Sequence, residues 1–230
     1  MPLGEFDLIS YSSIESTQTG AIKLLNSGHR TPFVVKTDHQ ISGFGKYNRE
    51  WYSLPGDIAI TIAITPTCDE SSWPMLTYVA ALSVGELLTG IEITYKWPND
   101  IMVDNKKLSG ILLERYKNHL LIGIGINVIK KDGIISLSEL GCTEMSVSSI
   151  IENFKLLYNN YILNGFSYIK TKWLNKARIG SMIRSTLPDG RIIDGIFNGI
   201  EDDGTLIVIN KDGALNKIYA ADTQIRYMDI

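Results

Sequence analysis

Lys96-Trp97-Pro98-Asn99-Asp100 is the stretch of sequence that decides the fold, because it ends one strand and begins a hairpin. Pro98 lacks a backbone N–H, so a regular strand ladder should stop there and leave the next side chains able to face a ligand. The turn signal Asp104-Asn105 then predicts a hairpin that brings Lys107 back alongside Asp100. We therefore expect a carboxylate and an ammonium at one site, and the alternative is an ordinary surface ion pair on a solvated hairpin.

Apolar periodicity on both sides of this stretch predicts a mixture of strands and helices. Ser16 is expected to cap a first helix over residues 16–27, and Ile58–Thr65 is continuous and β-branched, as in a central strand. Ser71 or Ser72 is expected to cap the next helix, which should bury a single apolar stripe. The remaining predicted strands are 33–36, 93–97, 101–103, 108–114 and 120–128, and the remaining predicted helices are about 145–163 and 166–178.

The pattern changes after Ala177. Short alternating runs follow, and they are separated by the tight-turn signals Asp189-Gly190, Asp203-Gly204 and Asp212-Gly213. About 50 residues of this kind predict a small antiparallel barrel. The sequence therefore predicts an α+β fold with a domain boundary near residue 178.

The composition restricts the class of protein. The 230 residues are 44% hydrophobic and have a formal net charge of −3, with no segment basic enough to indicate binding to nucleic acid or to an anionic membrane. The first residues lack the basic and apolar regions of a secretory signal. Cys68 and Cys142 show no metal-ligand spacing and fit two unpaired thiols in the cytoplasm. The three histidines are isolated, so neither Ser–His–Asp catalysis nor a catalytic metal centre is expected.

Two further segments suit a ligand site. In the loop Gln40–Trp51, Gly43 and Gly45 precede the cations Lys46 and Arg49, which is typical of a loop that closes over a phosphate. The loop matches neither a Walker nor a dinucleotide motif, and an ordinary surface loop is the alternative.

Glycines also interrupt an apolar strand at Gly123-Ile124-Gly125-Ile126-Asn127-Val128, which indicates close approach of another backbone or of a ligand. Gly110 on the preceding predicted strand would likewise let a ligand approach the backbone closely. Ser16-Thr17-Gln18 at a helix start offers hydroxyl and amide groups to a carboxylate or ureido group, and plain helix capping is its alternative.

Together these motifs closely resemble the biotin protein ligase family. The most specific part is Lys96–Asp100 followed by Lys107 and Gly110-Ile111-Leu112, and the resemblance covers nearly the whole chain. It implies a class II synthetase-like mixed β-sheet with flanking helices over residues 1–177, as a biotin- and ATP-binding catalytic domain, and an SH3-like barrel over residues 178–230. The supporting features stand in the family's order and are Ser16-Thr17, the Gln40–Trp51 loop, Gly123–Val128 and the barrel.

The resemblance implies a two-step reaction. The carboxylate of biotin attacks the α-phosphorus of ATP to give biotinyl-5′-adenylate and pyrophosphate, and a lysine of a biotin carboxyl carrier protein then attacks the mixed anhydride. Lys107 and Asp100 match the family's catalytic positions, with Mg²⁺ arriving with ATP near Asp100 and no permanent metal site. The implied biotin positions are Ser16, Thr17, Gln18, Gln40, Gly43, Phe44, Gly45, Lys46, Gly110 and Gly123. The implied ATP or adenylate positions are Lys46, Arg49, Trp51, Asn99, Asp100, Lys107, Asn127 and Arg226.

The chain departs from the family in the loop. The family reads Gly-Arg-Gly-Arg where this chain has Gly43-Phe44-Gly45-Lys46. Phe44 cannot replace a charged hydrogen-bonding fork, and Lys46 keeps the charge but loses bidentate geometry. Gln18 replaces the usual asparagine, which is a milder change. The alternatives are weaker retention of the intermediate or lost activity, and the remaining motif residues favour activity.

Several rival interpretations follow from the resemblance. A lipoate-type acyl-adenylating ligase is the nearest, and a catalytically silent protein that binds biotin or its carrier is the second.

The ligand motifs begin at Ser16, so the resemblance is to the short form of the family without an N-terminal DNA-binding domain. A biotin carboxyl carrier domain of a carboxylase is the implied partner. The family often forms homodimers through the catalytic sheet, and the sequence leaves that state open here.

Overall fold

The computed structural model describes residues 2–142, 145–220 and 224–228. The predicted domain ends at residues 1 and 230 lie outside these ranges. The α-helices are α1 (Thr17–Asn26), α2 (Leu76–Gly85), α3 (Val147–Asn164) and α4 (Phe166–Leu174). The strands are β1 (Asp7–Tyr11), β2 (Phe33–Thr37), β3 (Ile58–Ile64), β4 (Thr94–Lys96), β5 (Asp100–Val103), β6 (Lys106–Tyr116), β7 (His119–Ile126), β8 (Met182–Thr186), β9 (Ile192–Ile200), β10 (Leu206–Ile209), β11 (Leu215–Ile218) and β12 (Gln224–Tyr227).

The first seven strands form one sheet in the order β1-β2-β3-β7-β6-β5-β4. Strands β1 and β2 are parallel, and the other neighbours are antiparallel, so the sheet is mixed. Its central strands β3 and β7 are mostly buried and apolar, apart from Thr61 in β3 and His119 and the glycines in β7. Helix α1 packs on one face through Ala21, which meets Phe33, Val35, Ala63 and Leu121. Helices α2, α3 and α4 contribute to the larger core on the other face.

Helix α2 differs from its sequence-based prediction. All ten of its residues are buried, rather than a single stripe, because the helix is packed against strands of the sheet and against helices α3 and α4. The predicted cap at Ser71 or Ser72 is wrong. A short 3₁₀ helix, Glu70–Met75, precedes α2 and contains Pro74, so both serines lie inside that turn.

The hairpin between β5 and β6 forms as predicted. Asp104 and Asn105 both adopt positive φ, at 47° and 61°, as a two-residue type I′ turn requires. The ladder pairs Met102 with Lys107 and Ile101 with Ser109, which leaves one extra residue on β6 as a β-bulge. The two-residue turn itself pairs Val103 with Lys106 and Met102 with Lys107, so Lys107 lies opposite Met102 rather than Ile101, and its side chain reaches Asp100.

The last five strands form a separate antiparallel sheet in the order β11-β10-β9-β8-β12. The mixed sheet with flanking helices followed by a small antiparallel sheet confirms the predicted fold class. Two buried side chains of the first part of the chain contact the turn between β9 and β10, since the Tyr78 hydroxyl and the Trp97 indole nitrogen both donate to the Gly204 carbonyl, at 2.7 and 3.1 Å. The boundary near residue 178 stays a prediction. No helix within the described ranges combines the length and apolar character needed to cross a membrane.

Candidate active site

A cavity of about 670 Å³ opens on the α1 face of the mixed sheet. Its floor is formed by β3, β6 and β7. Residues of the Gln40–Trp51 loop and two residues of β12, Ile225 and Arg226, line it as well. Every predicted site residue except Gly43 contributes to its lining. These residues are Ser16, Thr17, Gln18, Gln40, Phe44, Gly45, Lys46, Arg49, Trp51, Asn99, Asp100, Lys107, Gly110, Gly123, Asn127 and Arg226.

Lys107 and Asp100 form an ion pair inside this cavity. The Lys107 ammonium lies 2.7 Å from an Asp100 carboxylate oxygen. Their side chains are 39% and 20% exposed, so both are accessible from the cavity without being fully hydrated. The hairpin geometry thus places one positive and one negative group where a bound ligand would meet both.

Glycines in the floor make room for side chains. A Cβ atom on Gly110 would lie 2.8 Å from the Lys107 ammonium, and one on Gly125 would lie 2.5 Å from the Trp51 ring. Gly110 and Gly125 are direct partners in the β6–β7 ladder. The sequence predicted close approach at Gly110 by a ligand, and the structure fills that space with Lys107 and Trp51. A Cβ on Gly123 would lie 3.4 Å from the Gln18 amide.

The Trp51 indole therefore packs against the two glycines. The Lys107 ammonium is 5.3 Å from its ring centre, which is a cation–π distance. The indole nitrogen is buried, and it has no hydrogen-bond partner among the described residues. A Cβ on Gly125 would lie 2.9 Å from this nitrogen, so the indole N–H is packed against the floor of the cavity.

Cations dominate the electrostatics around Asp100. Lys96 belongs to the same motif but was not predicted as a site residue, and it lines the cavity with Lys107, Arg49 and Arg226. Burial is the main cause that lowers the pKa of the Lys96 ammonium, and Asp100 opposes that effect. The positive charges of Lys107, Arg226 and Arg49 lower the pKa of Lys96 further. Such a convergence of positive charge suits a polyphosphate.

A polar network lies at the other end of the cavity, where α1 begins. The Gln40 side-chain oxygen accepts from the Thr17 backbone N–H and hydroxyl, at 2.8 and 3.1 Å. The Thr61 hydroxyl contacts Thr17 and Gln18, each at 2.8 Å, and the Gln18 amide donates to Glu114 at 2.7 Å. Sequence reasoning missed Thr61 and Glu114, because a threonine inside an apolar strand and a glutamate in an alternating strand carry no local signal of a site.

Ser16 lies at the same end of the cavity and is the N-cap of α1, as predicted. Its side chain accepts from the Thr19 backbone N–H at 3.1 Å, which confirms the capping interpretation. Capping and a ligand role are compatible here, because Ser16 and Thr17 also line the cavity.

The loop of residues 43–51 is a small hairpin. Trp51 donates its backbone N–H to the Gly43 carbonyl at 2.8 Å, and Phe44 is bridged to Glu50. Gly43 is the first residue of this loop and packs against Gln40, since a Cβ there would lie 2.6 Å from the Gln40 side chain. The Lys46 ammonium donates to the Ala220 carbonyl at 2.9 Å, so the loop touches the segment that follows β11. The Lys46 side chain thus lines the cavity while its ammonium is bonded to the Ala220 carbonyl.

Asn99 is more constrained than the sequence suggested. Its side-chain amide donates to the Ile111 carbonyl at 2.7 Å, and its own carbonyl accepts from the Ile111 N–H at 2.9 Å. These bonds hold the turn between β4 and β5 against β6. Asn99 lines the cavity, but its side-chain amide already donates to a backbone carbonyl.

The carboxylates in the lining are Glu50 and Asp100. Within the part of the chain that the structure describes, no group of three or more His, Cys, Asp or Glu side chains could hold a metal ion. An ion that brings phosphate ligands with it needs fewer protein oxygens, and Asp100 is placed to supply one.

Comparisons with known proteins give two family matches. Residues 10–128 match the Biotin/lipoate A/B protein ligase family, and residues 179–226 match the Biotin protein ligase C terminal domain. The chain is 33% identical to the bifunctional ligase/repressor BirA of Bacillus spizizenii, over 95% of this chain and 74% of that protein. It is 27% identical to a biotin–[acetyl-CoA-carboxylase] ligase of Paracoccus denitrificans, over 84% of this chain and 90% of that protein.

A solved structure agrees with these sequence matches. The biotin protein ligase of Aquifex aeolicus, in complex with biotin and ATP, superposes with a TM-score of 0.85 and 25% identity. The match covers 96% of this chain and 99% of that one, so both sheets are included.

Proposed function

This chain belongs to the biotin/lipoate A/B protein ligase family, and we propose that it is a biotin protein ligase. It forms biotinyl-5′-adenylate from biotin and ATP and transfers biotin to a lysine of a carrier protein. The observation that supports this most is a single cavity with a polar network at one end and the Lys107–Asp100 pair at the other. An acid and a nucleotide bound in that cavity would meet between the two ends.

We assign biotin to the end at α1. Ser16 and Thr17 carry hydroxyls, Gln18 and Gln40 carry amides, and all four side chains line the cavity. Such neutral donors and acceptors suit the ureido group of biotin without the cost of burying a charge against it. The positions around Gly43, Phe44 and Gly110 are assigned to biotin by the resemblance alone.

We assign the nucleotide to the end with the cations. Lys107 would stabilise the negative charge that develops on carboxylate and phosphate oxygens, because its ammonium is fixed by Asp100 before the substrate arrives. Arg49 and Arg226 add positive charge, and Trp51 offers its aromatic ring to the nucleotide. Mg²⁺ bound to ATP neutralises phosphate charge when present, and Asp100 is the carboxylate that would meet it.

The partner that we propose is a biotin carboxyl carrier domain of a carboxylase. A relative in Paracoccus denitrificans is named as a ligase for acetyl-CoA carboxylase, which supports this class of acceptor. We also propose a cytoplasmic location, which fits the two unpaired thiols of Cys68 and Cys142. A homodimer and the absence of a nucleic-acid or membrane partner remain proposals.

Labelling of a carrier domain tests the function directly. Incubation of the protein with ATP, Mg²⁺, biotin and a carrier domain should raise the carrier mass by one biotin. A carrier with its acceptor lysine changed to arginine should gain nothing, which controls for non-specific acylation. Measurable biotin binding with no mass gain on the native carrier would instead favour the catalytically silent alternative, which Phe44 and Lys46 motivate. Exchange of pyrophosphate into ATP with lipoate, but not with biotin, would favour the lipoate-type ligase.

The substitution Phe44→Arg is expected to slow release of the adenylate by about tenfold. Phe44 lines the cavity in a loop that otherwise carries Lys46 and Arg49, and arginine would add a bidentate donor for phosphate. The measurement is the dissociation rate of biotinyl-adenylate from the isolated complex. Ile41→Arg is the matched control, because Ile41 is 67% exposed in the preceding turn and adds the same charge outside the cavity. Equal release from wild type and Phe44→Arg would show that this position does not retain the intermediate.

A further inference from the structure

A buried ion pair lies just outside the cavity wall. The Lys131 ammonium is 2.5 Å from an Asp57 carboxylate oxygen, and the two side chains are 4% and 0% exposed. Removing both charges from water is costly, and a buried pair is tolerated only where further hydrogen bonds satisfy it. Both groups have such bonds here.

The Asp57 carboxylate is held by backbone amides. One oxygen accepts from Val128 and Ile129, at 2.9 and 3.0 Å, and the other accepts from Leu54 at 2.8 Å. The carboxylate therefore joins Leu54, which follows the loop, to Val128 and Ile129, which follow β7.

The Lys131 ammonium has three acceptors, and two of them belong to residues of the cavity wall. It donates to the Tyr52 carbonyl at 3.0 Å and to the Asn127 side-chain oxygen at 2.8 Å. The Asn127 amide group in turn donates to the Lys107 carbonyl at 3.1 Å. Tyr52 follows Trp51 directly, and both Tyr52 and Asn127 line the cavity.

We propose that Lys131 is a positioning residue for the nucleotide end of the site. Its ammonium fixes the Tyr52 carbonyl, and hence the chain that carries Trp51, and it orients the Asn127 amide that holds the Lys107 backbone. Asp57 supplies the opposite charge that lets this ammonium remain buried. This inference rests on the proposed function, because it concerns the ATP end of that same site. None of these contacts reaches the polar network at α1.

The position of the contacts predicts an uneven effect on the two substrates. Without the ammonium, the Asn127 oxygen loses its charged donor and the Tyr52 carbonyl loses its anchor, so Trp51 and Lys107 become less well placed for ATP. Residues Thr17 and Gln40 keep their own bonds to each other. The nucleotide should therefore bind less tightly while biotin binding is unchanged.

The test uses Lys131→Met, which keeps an unbranched apolar stem of similar length and removes the charge. We expect the KM for ATP to rise about tenfold and the KM for biotin to stay within about twofold. Calorimetry with ATP alone should show a similar loss of affinity, independently of turnover. The double variant with Asn127→Ala should raise the KM for ATP by less than the product of the two single effects, because only the part of the Lys131 effect that passes through Tyr52 remains once Asn127 is removed.

Lys172→Met is the matched control. It breaks a partly buried pair with Glu86, at 2.6 Å, away from the cavity lining. A loss of stability alone should leave both KM values unchanged in this control. If Lys131→Met fails to fold, Lys131→Arg replaces it, and the displaced charge should raise the KM for ATP about threefold. Equal changes in the two KM values, or additive effects with Asn127→Ala, would overturn the proposal. Wild-type protein that makes no adenylate would overturn the proposed function instead.

Discussion

Replacement of Lys107 by alanine is expected to lower the rate of adenylate formation by about 10²–10³-fold, the range found when one preorganised donor to a developing charge is removed. The ammonium lies 2.7 Å from Asp100 and beside the Trp51 ring, so it is already in place before the substrates bind. The measurement is the single-turnover rate of biotinyl-adenylate formation at saturating biotin and ATP.

Lys106→Ala is the matched control for this variant. Lys106 is the preceding residue of the same strand, it is exposed, and it does not line the cavity. It should keep wild-type rates, because it removes the same charge from the protein without touching the site. Both variants should retain the wild-type circular dichroism spectrum, since Asp100 remains partly hydrated after its partner is removed. Near-wild-type turnover of Lys107→Ala would refute the catalytic role.

Local signals in the sequence predicted the part of the site that lies on one hairpin. Pro98 marks the interruption of the ladder and Asp104-Asn105 marks the turn, and these two signals are enough to return Lys107 toward Asp100. The bulge on β6 was not predicted, because it depends on how β6 pairs with β7 as well as with β5. The fold class followed from the same kind of signal, since the turns after Ala177 separate short alternating strands.

Contacts between distant segments could not be predicted in this way. Lys131 stands in the polar run Lys130-Lys131-Asp132, which reads as a solvated turn, and nothing near Asp57 indicates its burial. The same limit applies to Thr61, whose hydroxyl is explained only when α1 lies on the sheet. The glycines in the strands correctly predicted that another group lies close to the backbone. They did not predict which group, which at Gly125 is the Trp51 ring.

Replacement of Asp57 by alanine should be the most destabilising of these changes, by about 3–5 kcal/mol. The substitution leaves the Lys131 ammonium buried with neutral acceptors only, and it also removes the acceptor of three backbone amides. For a chain of this size such a loss corresponds to a fall in Tm of about 10 °C. Differential scanning calorimetry of the purified variant measures it, and Glu5→Ala, which breaks an exposed pair with Lys155, should leave Tm almost unchanged.

The two members of the buried pair should differ in their effect on stability. In Lys131→Met the Asp57 carboxylate keeps its three amide donors, so its charge stays partly compensated and the fall in Tm should be smaller. In the double variant, Lys131→Met with Asp57→Ala, no charge is buried, and part of the stability lost in Asp57→Ala should return. The amides of Leu54, Val128 and Ile129 remain without their acceptor, so recovery should be incomplete. Equal losses of Tm in both single variants, with no recovery in the double variant, would show that the buried charge itself contributes little. The pair would then act through its hydrogen bonds alone.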